Sequence, residues 1–355
     1  MTRFGFCTAT LLAVAVIGSA SAQNITYLVD CSKGQTIGAA LGRNPTGQPV
    51  NLLIRGTCNE YVAIARDDVT LTGVAGTGAT VNGPGSEAPA IFIRGDRTAI
   101  TDLTVTGGKD GVAIDGAFAA TLTRVEVRNP AQGGAVMVRG GGDLALVSCK
   151  LTQAGVGLRL LRAGSARVAT GTEISDNVAE GILADLNSTV IVSGGSKILR
   201  NGSSGIQLSN GSQADINASE VAGNRNGVIA TTSGLNVTAG SVIRNNLENG
   251  VFGYLGSAIV LNGSEVAYNE TGVACRFGCT MQISGANLHD NTTHAAVVML
   301  GSKAIFTDPM THATGNGWVD LWCGDPESSV DGVNGLSYDG GVFFDGNVDP
   351  ACTGF

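Results

Sequence analysis

A glycine followed by an apolar residue recurs through the middle of this 355-residue chain at intervals of 22 to 24 residues. An asparagine lies three or four positions before each glycine, and apolar residues alternate over short segments between the copies. Such alternation is typical of β-strands with one buried face. A period of this length without helical spacing predicts a solenoid in which each repeat forms one coil. The five clearest pairs are Gly181-Ile182, Gly205-Ile206, Gly227-Val228, Gly250-Val251 and Gly272-Val273.

Each repeat has room for three short strands and three turns. In one unit the strands are predicted at Lys197–Arg200, Gly205–Ser209 and Ala214–Asn217. Coils of this kind stack in parallel at about 4.8 Å, so like residues pair with like. The recurring asparagine fits a turn, because its amide can bond the asparagines above and below and it tolerates left-handed backbone.

Weaker copies extend the repeat in both directions. We predict about ten coils, in a rod of roughly 50 Å. Solenoid ends must be covered, and a short helix over Thr36–Gly42 is predicted to cover the first coil. The chain is thus divided into an N-terminal cap with the first coils (23–110), a regular β-helix (111–319) and a C-terminal cap (320–355). The weaker copies are Gly111-Val112, Gly134 to Val138, Gly155-Val156, Ala295-Ala296 and Gly317-Trp318.

The first 22 residues have the composition of a secretory signal peptide. Arg3 precedes an apolar run from Leu11 to Ile17, and small residues follow at Ala20–Ala22. The run is too short to span a membrane, so we expect a protein that is secreted or periplasmic and begins at Gln23. The net charge of −8 argues against a nucleic-acid partner, which would require a basic face.

Seven cysteines remain after the predicted signal, and an exported protein is expected to use them in disulfides. Bridges Cys31–Cys58 and Cys323–Cys352 would staple the two ends of the rod. The spacing of Cys275 and Cys279 allows a local bridge. Cys149 is then left as a buried thiol, and no metal site is predicted, since a zinc site needs about four ligands.

A repeat in which an asparagine precedes a Gly-Ile-x-Leu style segment by three or four positions covers about 110–320, and the leader segments Gly56–Tyr61 and Ala65–Gly73 precede it. In these features the chain resembles the right-handed parallel β-helix proteins of the pectin-lyase-like superfamily. The resemblance implies an all-β, right-handed parallel β-helix with an N-terminal helical cap and a disulfide-stapled C-terminal cap. Because the superfamily includes lyases, hydrolases, epimerases, esterases and adhesive proteins, it does not select an activity. In its enzymes the polysaccharide usually lies along the sheet formed by the Gly-apolar strands.

Alternation predicts one charged group on the outward side of that sheet, on four successive coils: Asp115, Arg139, Arg159 and Asp185. A uronate lyase needs a cation against the sugar carboxylate, a base, and often calcium held by carboxylates. Arg139 or Arg159 could neutralise the carboxylate or abstract the proton, and Asp115 and Asp185 could hold calcium or orient an arginine. The same four residues could equally form exposed ion pairs, each of which contributes little.

A second outward group consists of Tyr254, Arg276 and His294. Tyr254 and Arg276 each follow their glycine by four residues, so they should lie one coil apart, and His294 is predicted in the turn before the next strand. Tyrosine, arginine and histidine are, by the same resemblance, the acid, neutraliser and base of alginate epimerases and lyases. The alternative is a polar histidine in a turn beside a packed tyrosine.

The outward row also carries apolar residues that could contact sugars or a partner, at Leu183, Ile229 and Phe252. Two hypotheses follow. In the first, the protein is an exported β-helix that binds a polysaccharide or a cell-surface partner along the Gly-apolar strands. The alternative is a uronate-polysaccharide lyase or C5-epimerase that uses one of the two groups, with calcium as the only cofactor considered and only for a lyase.

Overall fold

Three parallel sheets run side by side along the molecule, and the chain enters each of them once per coil. The computed structural model describes residues 25–43, 47–130, 133–238 and 240–344. Each strand pairs in parallel with its equivalents in the neighbouring coils, and the first and last strand of each sheet have one such neighbour. This arrangement confirms the predicted all-β, right-handed parallel β-helix, in which each crossover between parallel strands has the usual hand.

The sheet that contains the Gly-apolar strands, here called the Gly-apolar sheet, has 13 strands. Its strands are Val62–Ile64, Ile91–Ile93, Val112–Asp115, Gly134–Arg139, Val156–Leu161, Ile182–Asp185, Ser204–Leu208, Asn226–Thr231, Asn249–Tyr254, Thr271–Arg276, His294–Met299, Val319–Cys323 and Val342–Phe344.

The second sheet, which the chain enters next, has 14 strands. They are Ile25–Asp30, Val50–Arg55, Val69–Gly73, Ala99–Thr101, Ala120–Thr123, Asp143–Val147, Ser165–Ala169, Thr189–Val192, Gln213–Ile216, Gly234–Val237, Ala258–Asn262, Thr280–Ser284, Lys303–Thr307 and Ser329–Asp331.

The third sheet has 13 strands and completes each coil. They are Thr57–Asn59, Thr80–Gly83, Thr104–Gly107, Glu126–Arg128, Lys150–Thr152, Glu173–Ser175, Lys197–Leu199, Glu220–Ala222, Val242–Arg244, Glu265–Ala267, Asn287–His289, Thr311–Thr314 and Leu336–Tyr338.

The described coils number about 13 rather than about ten, which makes a rod of about 60 Å. The repeat pattern did not reveal the early coils because their strands lack the recurring Gly-apolar pair. These strands, Val62–Ile64 and Ile91–Ile93, have three residues each. At the other end, Val319–Cys323 and the strands after it continue the same three sheets.

The interior of the rod is filled with stacked aliphatic side chains, since equivalent residues of successive coils lie in register. Ile182, Ile206 and Val228 are fully buried and follow one another along the axis. The glycine before each of them is required by close approach rather than by its backbone angles. A Cβ on Gly181 would lie 2.6 Å from the carbonyl oxygen of Gly205, well inside contact distance.

The recurring asparagines form a buried ladder at the turns that lead from the third sheet into the Gly-apolar sheet. In each step the Oδ1 of one asparagine accepts hydrogen bonds from the amide Nδ2 and the backbone N–H of the asparagine one coil earlier. The Nδ2 to Oδ1 distances are 2.9 to 3.2 Å along the ladder. The predicted asparagine stacking is confirmed, and the ladder comprises Asn177, Asn201, Asn224, Asn246, Asn269, Asn291 and Asn316.

A helix at Ile37–Gly42 covers the first coil, as predicted. The hydroxyl of Thr36 accepts from the backbone N–H of Ala39, and the carboxylate of Glu60 accepts from the N–H groups of Ile37 (2.6 Å) and Gly38 (3.0 Å). Caps of this kind satisfy donors that the helix itself leaves unpaired. Two short 3-10 turns are also present, at Cys31–Lys33 and Val333–Gly335.

The structure confirms two of the predicted disulfides, Cys31–Cys58 and Cys275–Cys279. Cys323 is disulfide-bonded, and Cys352, its predicted partner, lies outside the described residues, as does the predicted signal peptide. Cys149 is a free, buried thiol whose pKa is raised by burial. Within the described ranges, no helix is long and apolar enough to cross a membrane.

Candidate functional site

The Gly-apolar sheet presents two rows of outward side chains along the rod. The central row lies two residues after the glycine position of each coil, and the strand-end row lies four residues after it. The central row consists of Phe92, Ala113, Met137, Arg159, Leu183, Gln207, Ile229, Phe252, Ala274, Val297 and Trp322. The strand-end row includes Asp115, Arg139, Leu161, Asp185, Thr231, Tyr254, Arg276 and Met299.

The sequence predicted that Arg159 lies in one row with Asp115 and Arg139, but the structure places it in a different row. It lies in the central row, between Met137 and Leu183, and Leu161 occupies the strand-end position of that coil. The Gly-apolar pair of the coil is therefore Gly157-Leu158 rather than Gly155-Val156. The shift of two residues moves Arg159 from one row to the other.

Three charged residues form an ion-paired group near the N-terminal end of the face. The Oδ2 of Asp115 is 3.1 Å from the Nη2 of Arg139 and 3.5 Å from the Nη2 of Arg94. All three side chains are partly exposed, so the pairs stabilise the fold only slightly. These contacts are exposed ion pairs between coils, the alternative given above for this charged group, and the charge of Arg139 is largely balanced.

Asp185 belongs to a separate hydrogen-bonded turn. Its Oδ1 accepts from the Nδ2 of Asn210 (2.7 Å) and from the backbone N–H of Leu186 (2.9 Å). Three strand steps separate Asp115 from Asp185, a distance of about 14 Å along the rod. Calcium ligands lie within about 2.6 Å of the ion, so these two carboxylates do not share one calcium ion.

Arg159 and Arg276 are the unpaired cations of this face. In the part of the chain that the structure describes, no carboxylate lies within ion-pair distance of either guanidinium, and the Nε of each is buried without a hydrogen-bond partner. Both side chains are otherwise half-exposed. A buried nitrogen without an acceptor is unfavourable, and the exposed part of each guanidinium has no carboxylate partner among the described residues, so both side chains are available to an anionic group.

Aromatic rings surround Arg276. As predicted, Arg276 pairs with Tyr254 on the adjacent strand. The ring of Tyr254 contacts Phe252 (5.8 Å between centroids) and, edge-on, Phe277 (4.9 Å), while the guanidinium of Arg276 lies over Phe252. Phe277 is nearly half exposed. Together these four residues, here called the Arg276 platform, form a mixed cationic and aromatic surface.

His294 does not join the Arg276 platform. It is the first residue of the strand His294–Met299 rather than part of a turn, and Met299, at the far end of that strand, is the residue beside Arg276. Five residues of extended chain place His294 about 16 Å, measured along the strand, from the level of Arg276 and Tyr254. Tyr254, Arg276 and His294 are therefore not brought together.

A pocket of about 250 Å³ lies instead beside His294, and its walls are His294, Trp318, Val319 and Trp322. The imidazole stacks on Trp322 (5.1 Å, 23°) and meets Trp318 edge-on (5.6 Å, 74°). Sequence reasoning had assigned Trp322 to the cap and missed this pocket. The true pair of the coil is Asp320-Leu321, since Leu321 pairs with Ala296; an alignment on Leu321 would have placed Trp322 in the central row.

In the described part of the chain, no long loop walls off this face of the rod. Between Val112 and Cys323 every connection from one strand to the next has only two to six residues. The predicted apolar positions Leu183, Ile229 and Phe252 are half-buried members of the central row, as the alternation indicated. The surface is accordingly an open strip, suited to an extended ligand rather than to a small molecule enclosed in a deep cleft.

Among the described residues, one set of potential metal ligands converges: Cys31, Cys58 and Glu60. The two sulfur atoms are joined in a disulfide, and Glu60 caps the helix Ile37–Gly42. These groups are fully used by the fold, and they lie in the N-terminal cap rather than on the outward face.

The profile of the right-handed β-helix region family matches residues 89–241 and 193–332. The chain belongs to this family, in agreement with the resemblance noted in its sequence. No characterised protein sequence matches it significantly.

Solved structures share the fold at low sequence identity. The A-module of the mannuronan C-5 epimerase AlgE6 of Azotobacter vinelandii is 18% identical over 85% of this chain and 92% of its own, with a TM-score of 0.63. The periplasmic alginate epimerase AlgG is 13% identical over 90% and 85%, with a TM-score of 0.53. Tailspike protein 2 of the Escherichia coli O157:H7 bacteriophage CAB120 is 13% identical, with a TM-score of 0.55, over 66% of this chain but only 38% of its own. At these identities the likeness establishes the fold alone.

Proposed function

We propose that this protein binds an acidic polysaccharide that lies extended along the outward face of the Gly-apolar sheet. The observation that carries the proposal is the pair of unpaired arginines, Arg159 and Arg276, on an open strip. A guanidinium matches a carboxylate in shape and charge and binds it through two parallel hydrogen bonds. Uronate residues present such carboxylates at regular intervals.

The surroundings of the two arginines suit a sugar chain. Rings such as Tyr254 and the nearly half-exposed Phe277 offer apolar area to the C–H faces of sugar rings. The two arginines are five strand steps apart, about 24 Å along the rod. A chain of several sugars that follows the central row can contact both.

Local charge is consistent with an anionic ligand even though the whole chain is acidic. The two rows with Arg94 carry four arginines against two aspartates, whereas the chain has a net charge of −8. A positive strip on a negative protein favours binding in one place and one orientation. The names of two structural neighbours, a mannuronan epimerase and an alginate epimerase, point to the same class of polymer.

Isothermal titration with a soluble polyuronate, and with a neutral glucan of the same length, tests the proposal. We expect Arg276→Gln to weaken polyuronate binding about tenfold, the cost of one charged hydrogen-bonded contact. Arg167→Gln is the matched control, since Arg167 is exposed on the second sheet and has no ion-pair partner among the described residues. Equal affinity for both polymers, or equal loss in both variants, would exclude the proposal.

A second candidate, a uronate lyase or C5-epimerase, is favoured by one observation: Tyr254 and Arg276 lie side by side on adjacent strands. A tyrosine hydroxyl can exchange a proton with a sugar while the arginine neutralises the carboxylate. His294 is too far away to serve as the base beside them. Incubation with polyuronates, followed by absorbance of unsaturated ends and by product NMR, distinguishes this candidate from simple binding.

We also propose that the protein is exported to the periplasm or secreted. The disulfides Cys31–Cys58 and Cys275–Cys279 support an oxidising compartment. Mass spectrometry of the protein produced with its full sequence in an exporting bacterium should find a mature chain that begins at Gln23. Recovery of the uncleaved chain in the cytoplasm would contradict export.

A further inference from the structure

The pocket beside His294 opens on the same face as the proposed polysaccharide site but differs from it in chemistry. Trp322 is the last described side chain of the central row, and Ala274 and Val297 separate it from Phe252. These two residues are 1% and 2% exposed, and they occupy the central-row positions between the Arg276 platform and the pocket. A ligand that follows the central row reaches the tryptophans.

The walls of the pocket are flat and apolar. Trp318 is 71% exposed, although a tryptophan side chain is normally well covered. Trp318 and Trp322 flank His294, one edge-on and the other stacked. The volume of about 250 Å³ is below the range of about 300–1,000 Å³ typical of pockets for drug-sized ligands. The space therefore suits one ring rather than a larger group.

The polar groups of the pocket are uncharged. His294 is buried, with an exposed fraction of 6%. Within the described chain neither of its ring nitrogens has a hydrogen-bond partner. Burial lowers the pKa of His294, so the imidazole is neutral near pH 7 and offers one donor and one acceptor. The indole Nε1 of Trp322 is a buried donor that also lacks a partner in the described structure. Among the residues that the structure describes, no arginine or lysine lines the pocket.

We infer that the pocket formed by His294, Trp318 and Trp322 is a subsite for one uncharged sugar ring. The inference rests on the proposed function and deepens it. The C–H face of the sugar would cover Trp318, and one of its hydroxyl groups would hydrogen-bond a ring nitrogen of His294. A carboxylate has no cation to meet here, whereas Arg276 lies two strands away. The polymer is thus a heteropolysaccharide that contains both acidic and neutral sugars.

Intrinsic fluorescence gives a direct test, because the two tryptophans of the chain are both in this pocket. Neutral gluco-, galacto- and manno-oligosaccharides are titrated into the wild-type protein and its variants. We expect at least one series to shift the emission in a saturable way. Trp318→Leu, which leaves Trp322 as the reporter, should weaken that response about tenfold, and so should His294→Gln.

Trp318 is exposed, so its replacement does not endanger folding, and circular dichroism verifies the fold of both variants. The absence of a saturable response to every neutral series would overturn the subsite, as would a response that both variants leave unchanged. Calorimetric titration with polyuronate is performed in parallel. Polyuronate binding without a neutral-sugar response would refute the subsite alone, whereas a neutral-sugar response without polyuronate binding would refute the acidic-polymer proposal and with it the heteropolysaccharide.

Discussion

The guanidinium of Arg276 lies over the aromatic ring of Phe252, 5.7 Å from the ring centroid, although the two residues belong to adjacent coils and to different outward rows. A cation placed over the face of an aromatic ring is attracted by the π electrons of the ring. The contact holds Arg276 across the strip, with its terminal nitrogens free of any carboxylate among the described residues. The parallel register of the β-helix brings a ring and a cation together without any loop.

Replacement of Phe252 by leucine should weaken polyuronate binding about threefold, because an exposed cation–π contact contributes about 0.5–1 kcal/mol and here it orients Arg276. Isothermal titration provides the measurement. Phe118→Leu is the control, since Phe118 is an exposed ring in a turn several coils away. An undiminished affinity in Phe252→Leu would show that the ring does not position Arg276.

Asp115→Asn should strengthen the binding of an acidic polymer. The carboxylate of Asp115 pairs with both Arg139 and Arg94, and its removal frees two cations on the proposed path. The pairs are partly exposed and individually weak, so we expect a gain of about two- to fivefold at low salt, which shrinks as salt screens the charges. Unchanged or weaker binding would place the polymer elsewhere.

The asparagine ladder makes a strong prediction about stability. In Asn224→Ala, the amide Nδ2 and backbone N–H of Asn201 lose their acceptor in a buried turn. An unsatisfied buried group costs about 1–3 kcal/mol, so the thermal midpoint should drop by several degrees. Asn262→Ala, at an exposed position on the second sheet, should leave it nearly unchanged. Similar midpoints for both variants would argue against a stabilising role of the ladder.

His294 should make stability depend on pH. Burial lowers the pKa of His294 in the folded protein below its ordinary value of 6.5. As the pH falls below 6.5, the unfolded chain therefore takes up a proton that the folded chain does not. The contribution of neutral His294 is complete above pH 6.5 and is lost as the pH falls towards the folded pKa. Between about pH 7.5 and about pH 5.5 the thermal midpoint of the wild type should fall more steeply than that of His294→Gln. Parallel curves would contradict this assignment.

The sequence was sufficient to predict the fold because Gly181, Gly205 and Gly227 recur where adjacent coils approach so closely that a residue with a Cβ would clash. It misplaced Arg159 because another glycine, Gly155, precedes the true position by two residues. In the last complete coil the glycine position is occupied by Asp320, whose carboxylate accepts hydrogen bonds from the turn around it, including the Nδ2 of Asn316. Period alone does not reveal such a substitution.

The position of His294 along its strand was equally beyond the sequence. Alternation indicates which side of a sheet a residue faces, and the common spacing of four residues after the glycine correctly placed Tyr254 beside Arg276. It does not fix where a strand begins. The strand His294–Met299 starts at His294 itself. The histidine therefore packs against Trp322 near the beginning of the strands, whereas Arg276 lies at their far end.

The most direct test of the central claim, that one acidic chain lies along the face and contacts both Arg159 and Arg276, is the affinity for uronate oligosaccharides of increasing length. Short oligomers should reach one arginine only, and affinity should rise once the ligand spans the distance of about 24 Å between them. In the double variant Arg159→Gln/Arg276→Gln that rise should disappear. An affinity that is independent of length, or a rise that survives in the double variant, would contradict the claim.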